Sequence, residues 1–207
     1  MTRRDDLMRV PDGLPVPVDD GACDHLWGKA MPPIALPSTA GGTVRLDRRR
    51  SPWTVVYAYP RTGLPDVDSP PGWDEIPGAR GCTPQACSFR DHHAELGAVG
   101  AEVYGLSTQT TEYQREMAER LHLPFSILSD ADLALTRALG LPTFEFPVAR
   151  GGGTTLIKRM AWYVDGGRIE KIWYPVFPPD RSAETVLEWL GERARLLGGG
   201  AGEVRTA

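Results

Sequence analysis

One segment constrains this chain more than any other. Gly81-Cys82-Thr83-Pro84-Gln85-Ala86-Cys87 holds two of the three cysteines, five residues apart, at what reads as the start of a helix. Upstream, Trp53-Thr54-Val55-Val56-Tyr57-Ala58-Tyr59 is a short run of aromatic and β-branched residues between prolines, the pattern of a buried strand. Thr83 is a good N-cap, and Pro84 fits the first helical position, where its missing N–H costs nothing. The helix is then expected to run through Phe89, His92 and Leu96 to Gly97. Cys82 falls at its N-terminus, where unpaired backbone N–H groups and the positive end of the helix dipole favour a thiolate over a thiol.

The spacing of the pair adds a second constraint. Five residues along an α-helix advance about 7.5 Å and turn about 140°, so the two Cα atoms are expected roughly 8.6 Å apart. A disulfide usually needs Cα atoms within about 6.8 Å. If Cys82 and Cys87 bond, the first helical turn must unwind, which suits a cycle between two states better than a permanent staple.

Composition sets the frame for this pair. The chain has 207 residues, 41% of them hydrophobic, and a net charge of −4, which suits one domain with a core and makes no electrostatic case for nucleic acid or membrane partners. Arg3-Arg4 and Arg48-Arg49-Arg50 are short and read as solvated surface. Met1 to Val10 lacks the apolar core of a secretion signal, and no run approaches the roughly 18 apolar residues of a spanning helix. A cytoplasmic location is expected. Three cysteines are too few for a disulfide framework, and in a reducing compartment a conspicuous pair points to catalysis or metal binding.

Residues 1–30, rich in Pro, Gly and Asp, read as an irregular N-terminal extension. A domain at 31–197 follows, with a flexible tail at 198–207. Ile34 to Leu46, broken by Gly41-Gly42, reads as a β-hairpin. After the Trp53 strand and the cysteine helix, a strand is expected at Val103 and a helix at 111–121. A strand at 125–128 and a helix at 131–139 come next, the helix stopped by Gly140. Strands at 155–164 and 168–174 join through Asp165-Gly166-Gly167, and a last helix spans 182–197. Strands alternating with helices, then a closing hairpin and helix, give an α/β three-layer sandwich with an N-terminal β-hairpin.

Several motifs, in order, carry a family resemblance. Tyr59-Pro60-Arg61-Thr62 followed by Gly81-Cys82-Thr83-Pro84-Gln85-Ala86-Cys87-Ser88-Phe89-Arg90-Asp91 resembles the active-site signature of the peroxiredoxins, in particular the Q-type, or bacterioferritin comigratory, branch. Glu102 to Thr108 matches that family's next strand, Leu123 to Asp130 its "LPFPLLSD" segment, and Arg159, in a strand-like run before Asp165, its peroxide-contacting arginine. The resemblance covers about residues 30–190 and implies a thioredoxin-like α/β/α sandwich. It departs in one place: the family's proline seven residues before the first cysteine and threonine three before it are here Glu75 and Ala79. An insertion at about 61–80, rich in Pro and Gly, explains the shift, with Pro60 and Thr62 as the displaced equivalents. Trp73 in that loop either covers the pocket or packs at the surface, the latter being the commoner fate of loop aromatics.

The resemblance implies a thiol peroxidase acting on hydrogen peroxide and organic hydroperoxides. Cys82 would be peroxidatic and Cys87 resolving, through an intramolecular disulfide. Arg159 would stabilise the thiolate and the peroxide, and Thr62 would hydrogen-bond the peroxide. Thr83 and Gln85 would support the first turn, Thr83 chiefly as a plain N-cap. An external dithiol, thioredoxin- or glutaredoxin-like, would reduce the disulfide, with no cofactor and a monomer or weak dimer. Two other classes stay in view: a thiol–disulfide oxidoreductase, disfavoured because such enzymes use C-x-x-C, and a peroxide-sensing or interaction protein. Cys23 reads as a passive cysteine in preference to a second resolving thiol. Cys82, Cys87 and His92 point three ways around a helix and cannot share one zinc ion. His25 and His122 belong to no pattern.

Overall fold

The computed structural model describes residues 7–48, 53–65, 67–147 and 153–199. In chain order the elements are strands β1 (Ala35–Pro37), β2 (Thr43–Arg45) and β3 (Trp53–Ala58), helices α1 (Cys82–Asp91) and α2 (His93–Ala98), strand β4 (Ala101–Ser107), helix α3 (Thr111–Arg120) and strand β5 (Ile127–Ser129). Helix α4 (Ala134–Leu139), strands β6 (Thr143–Glu145), β7 (Thr155–Ile157), β8 (Met160–Asp165) and β9 (Arg168–Trp173), and helix α5 (Ser182–Gly199) complete the chain.

β3 is buried along its whole length, which is why its sequence shows no polar alternation. It lies at the centre of a mixed sheet of order β5-β4-β3-β8-β9, parallel to β4 and antiparallel to β8. Its alternating side chains feed two cores. Val55 and Tyr57 pack with Phe89 of α1, Leu96 of α2, Met117 of α3 and Val186 of α5. Val56 and Ala58 face the other way, onto Leu135 and Leu139 of α4, Leu36 and Val44 of the β1–β2 hairpin, and Leu26. Helices on one face of the sheet, and α4 with the hairpin on the other, make the three-layer α/β/α sandwich expected from the sequence.

The N-terminal stretch is irregular but docked. Gly28 N–H donates to the Ile169 carbonyl, Ile169 N–H to Lys29, and Met31 N–H to Gly167, so the segment borders β9. Residues 1–6 and 200–207 lie outside the described residues, so most of the expected tail does too, and α5 continues through Gly199.

Several expected boundaries move, each for a local reason. The single cysteine helix is two: His92 leaves helical geometry (φ −100°, ψ 11°), its ring nitrogen bonds the Ser88 carbonyl at 2.9 Å, and α2 then drops Leu96 into the core. α4 starts at Ala134, after Leu133 in the left-handed region (φ 57°), and the Asp130 carboxylate accepts from the otherwise unpartnered N–H groups of Leu135 and Thr136. The strand near Phe125 begins two residues late, at Ile127. The run 155–164 is broken at Lys158-Arg159, because Lys158 N–H turns to the Pro142 carbonyl and β7 pairs instead with β6. β6, short and bordered by Pro142 and Pro147, carries no clear sequence signal.

Candidate active site

Helix α1 starts two residues earlier than capping logic implied. The N-cap is Gly81, not Thr83, with φ of 100° in the left-handed region, and the first i to i−4 bond runs from Gln85 N–H to the Gly81 carbonyl at 3.0 Å. Only glycine suits this position twice over: the dihedral penalises any L side chain, and a Cβ would stand 2.4 Å from Pro179 Cγ. Cys82 is therefore the first helical residue, with Thr83 second and buried. Pro84 still removes an N–H that would have had no intrahelical partner.

Cys82 is 4% exposed, and Arg159, 3% exposed, lies beside it. The break between β7 and β8 aims this arginine at the helix start, and Val176 N–H bonds its carbonyl from the other side. Its guanidinium is saturated. Nε donates to the Gly78 carbonyl at 3.1 Å, Nη1 to Gln85 Oε1, and Nη2 to the carbonyls of Ala79 at 3.0 Å and Arg80 at 3.1 Å. The same Nη2 lies 3.1 Å from Cys82 Sγ. Among the described residues no carboxylate pairs with it. A buried cation needs a counter-charge, and the Cys82 sulfur is the group placed to supply it. As a thiol, Cys82 can donate only weakly, to the Ala79 carbonyl at 3.5 Å.

Gln85 joins the site differently from expected. Its amide oxygen accepts from Arg159 and its amide nitrogen donates to Ser182 Oγ at 3.3 Å, so it ties the arginine to α5 rather than bracing the first turn. Ser88 Oγ adds a second tie by accepting from Ala183 N–H at 3.2 Å. Thr62 is buried, but its hydroxyl donates to Gln109 Oε1 at 3.2 Å, and its N–H and carbonyl also bond the Gln109 side chain. No hydrogen bond joins Thr62 to Cys82 among the described residues.

Cys87, five residues further along α1, is 8% exposed and sits in the main core. Burial pushes its thiol above the ordinary value, so it is held neutral. Beside it, Tyr57 stacks on Phe89 at 4.4 Å between ring centres, a contact worth about 0.5–1.5 kcal/mol beyond the area it buries. All three cysteines are free, and Cys23 is buried against the Met160 sulfur at 4.0 Å.

The described residues of the 61–80 loop are built into the fold. Trp73 is buried, in a small core with Ala79, Leu156, Phe144 and Phe146, so it packs neither loosely at the surface nor as a free lid. Arg80 is 7% exposed and donates to Ser69 Oγ at 2.6 Å and Asp74 at 3.3 Å, while its carbonyl accepts from Arg159. Gln109, Arg80, Ser182 and the carbonyls of 78–80 were not read from the sequence. Backbone acceptors leave no residue signature. The polar run Ser107-Thr108-Gln109, at the C-terminal end of a parallel strand, was the available signal.

A buried sulfur at a helix N-terminus, beside an arginine and followed by a second thiol, is an arrangement suited to thiol-based redox chemistry. The redoxin family model matches residues 27–187. A chloroplastic peroxiredoxin Q of Sedum lineare is 29% identical over 163 residues, covering 79% of this chain and 76% of the relative. Peroxiredoxin bcp1 of Schizosaccharomyces pombe is 31% identical over 165 residues, covering 76% and 73%. Among solved structures, peroxidoxin BcpB of Mycobacterium tuberculosis superposes with a TM-score of 0.62 at 24% identity, over 80% of this chain and 96% of that one, which supports the thioredoxin-like fold. The chain belongs to the redoxin family, and within it to the peroxiredoxins of the Q, or bcp, type.

Proposed function

We propose that this chain reduces hydroperoxides with Cys82 as peroxidatic and Cys87 as resolving cysteine. The Cys82 thiolate attacks the terminal oxygen of ROOH and the O–O bond breaks. The sulfur becomes a sulfenic acid, and the departing oxygen takes a proton and leaves as water or an alcohol. Arg159 offsets the thiolate charge before the attack and the charge on the leaving oxygen during it. The first-turn N–H groups of α1 are further donors at the same place. Thr62, engaged by Gln109, holds the loop entry rather than the peroxide.

Cys87 then condenses with the sulfenic acid, releasing water and forming a disulfide. Both cysteines lie on one continuous helix, so closure requires the first turn of α1 to open. An external dithiol restores the two thiols by exchange. Resolution within one chain needs no second subunit, which favours a monomer, and a redox-cycling pair of free thiols suits a reducing compartment such as the cytoplasm. The observation that carries the reading is the buried Arg159 with the Cys82 sulfur as the counter-charge available to it among the described residues. Peroxide-dependent oxidation of a thioredoxin system tests it: turnover is expected from the native chain and none from Cys82→Ser. Insulin reduction without peroxide would instead mark a disulfide oxidoreductase.

A further inference from the structure

Arg159 is held from three directions, and the N-terminal stretch reaches all three. Gly78 gives its carbonyl to Arg159 Nε at 3.1 Å, and Pro17 packs on that glycine, where a Cβ would stand 3.5 Å from Pro17 Cγ. Lys158 precedes Arg159 in the chain, and its Nζ pairs with Asp20 Oδ2 at 2.9 Å. Val176 N–H bonds the Arg159 carbonyl at 3.4 Å, and two residues before it the Tyr174 hydroxyl donates to Asp20 Oδ1 at 2.9 Å. One carboxylate therefore ties the β7–β8 break to the segment after β9, and these two segments fix the arginine's backbone. Met160, next after Arg159, is buried against the Cys23 sulfur at 4.0 Å.

Asp20 is itself held in place. Its Oδ1 also accepts from Ala22 N–H at 3.2 Å, and Asp19 Oδ1 accepts from Gly21 N–H at 3.0 Å, so two successive side-chain turns set the direction of the carboxylate. Lys158 and Asp20 are 38% and 47% exposed, and an ion pair so wetted adds little to fold stability. Its effect lies in placement. Arg159 Nη2 stands 3.1 Å from Cys82 Sγ, and displacement of a catalytic group by about 1 Å can cost a large factor in rate.

We propose that Asp20 is a positioning residue for the chemistry of Cys82: the strap from Pro17 to Cys23 fixes Arg159 beside the sulfur by clamping Gly78, Lys158 and Tyr174. Its effect on peroxide reduction rests on the peroxidase reading above, whereas the placement of Arg159 is testable without peroxide. Alkylation by iodoacetamide at neutral pH, mapped to Cys82 by mass spectrometry, reads the reactive sulfur alone. Asp20→Ala, shown folded by circular dichroism, should be alkylated there at least about fivefold more slowly than the native chain. The sign discriminates, because removing a carboxylate acts through space to favour a thiolate and would speed the reaction. Asp20→Glu should recover most of the native rate. Asp19→Asn removes a charge one residue away, leaves the tie intact, and should not slow alkylation. In an Arg159→Lys background Asp20→Ala should add no further slowing, since residues that act through one another are not additive. Unchanged or faster alkylation in Asp20→Ala, or the same slowing in both backgrounds, would overturn the proposal.

The reaction supplies the second readout. The second-order rate of Cys82 oxidation by hydrogen peroxide should fall at least about fivefold in Asp20→Ala, while KM for the reducing dithiol keeps its native value. If the native chain and Asp20→Ala reduce hydrogen peroxide equally fast, the proposal fails and the peroxidase reading stands. If neither reduces it, the peroxidase reading fails, while alkylation still decides whether Asp20 places Arg159.

Discussion

Arg159 Nη2 lies 3.1 Å from Cys82 Sγ, and the rest of its guanidinium is spent on the carbonyls of Gly78, Ala79 and Arg80 and on Gln85. One side chain thus both fixes the approach to the cysteine and places a cation beside its sulfur. Lysine keeps the charge but cannot reproduce the fork of donors. Arg159→Lys should lower the second-order rate of Cys82 oxidation by hydrogen peroxide about 100-fold or more, as loss of a preorganised donor does elsewhere. Stopped-flow tryptophan fluorescence measures it. A loss under threefold in a folded variant would remove Arg159 from the chemistry.

Cys87→Ser separates the two half-reactions. The first equivalent of peroxide should still be consumed at the native rate, and the oxidised protein should carry a sulfenic acid at Cys82 that a dione reagent traps. Mass spectrometry should find no Cys82–Cys87 disulfide. A variant unable to consume that first equivalent would mean the roles are misassigned.

Gly81→Ala should be costly although the change is one methyl group. The residue would have to adopt φ of 100° with its Cβ 2.4 Å from Pro179 Cγ. Left-handed strain and overpacking together amount to about 2–4 kcal/mol. Urea unfolding monitored by circular dichroism would show it, and a loss below 0.5 kcal/mol, on the same order-of-magnitude scale, would contradict the packing described.

The sequence already carried much of this arrangement. The Trp53 strand and the glycine-broken hairpin follow from local patterns of burial and turn residues and appear where those patterns put them, whereas the cysteine helix opens two residues before its expected start, at Cys82. What escaped is non-local. Arg159 looked like a strand residue because 155–164 is uniformly β-prone, yet pairing of β7 with β6 breaks the run there. Thr83 looked like a cap because capping scales describe side chains, and here a glycine backbone takes the position. Thr62 was assigned to peroxide by its place before the insertion, whereas Gln109, 47 residues away in sequence, takes its hydrogen bonds.

Arg80 holds the loop through Ser69 and Asp74. Charge-assisted bonds of this kind contribute about 1.5–3 kcal/mol each. Arg80→Gln should raise the transiently open fraction of 61–77, and with it the rate of limited proteolysis there, about tenfold. Cleavage sites mapped by mass spectrometry that fall elsewhere would show that Arg80 does not anchor the loop.

Cys23 gives the fold an alkaline limit. Burial raises its thiol from an ordinary value of 9.0 to about 12. Above pH 9 the unfolded chain releases this proton while the folded chain keeps it. The stabilisation is therefore complete below pH 9 and declines by up to about 1.4 kcal/mol per unit as pH rises toward 12. Urea midpoints of the native chain and of Cys23→Ala, compared between pH 8 and 10.5, should converge as pH rises. Parallel curves would mean that the thiol is not desolvated.

The core position of Cys87 has a thermal consequence. Its sulfur shares a cluster with Tyr57 and Phe89, so it reaches Cys82 only when that part of α1 melts. On the roles proposed above, the lifetime of the sulfenic acid would then be governed by a local unfolding rate. Such rates climb about 3–6-fold per 10 °C, more steeply than simple thiol condensation. Warming would therefore shorten the interval in which a second peroxide can over-oxidise Cys82, and cooling would lengthen it.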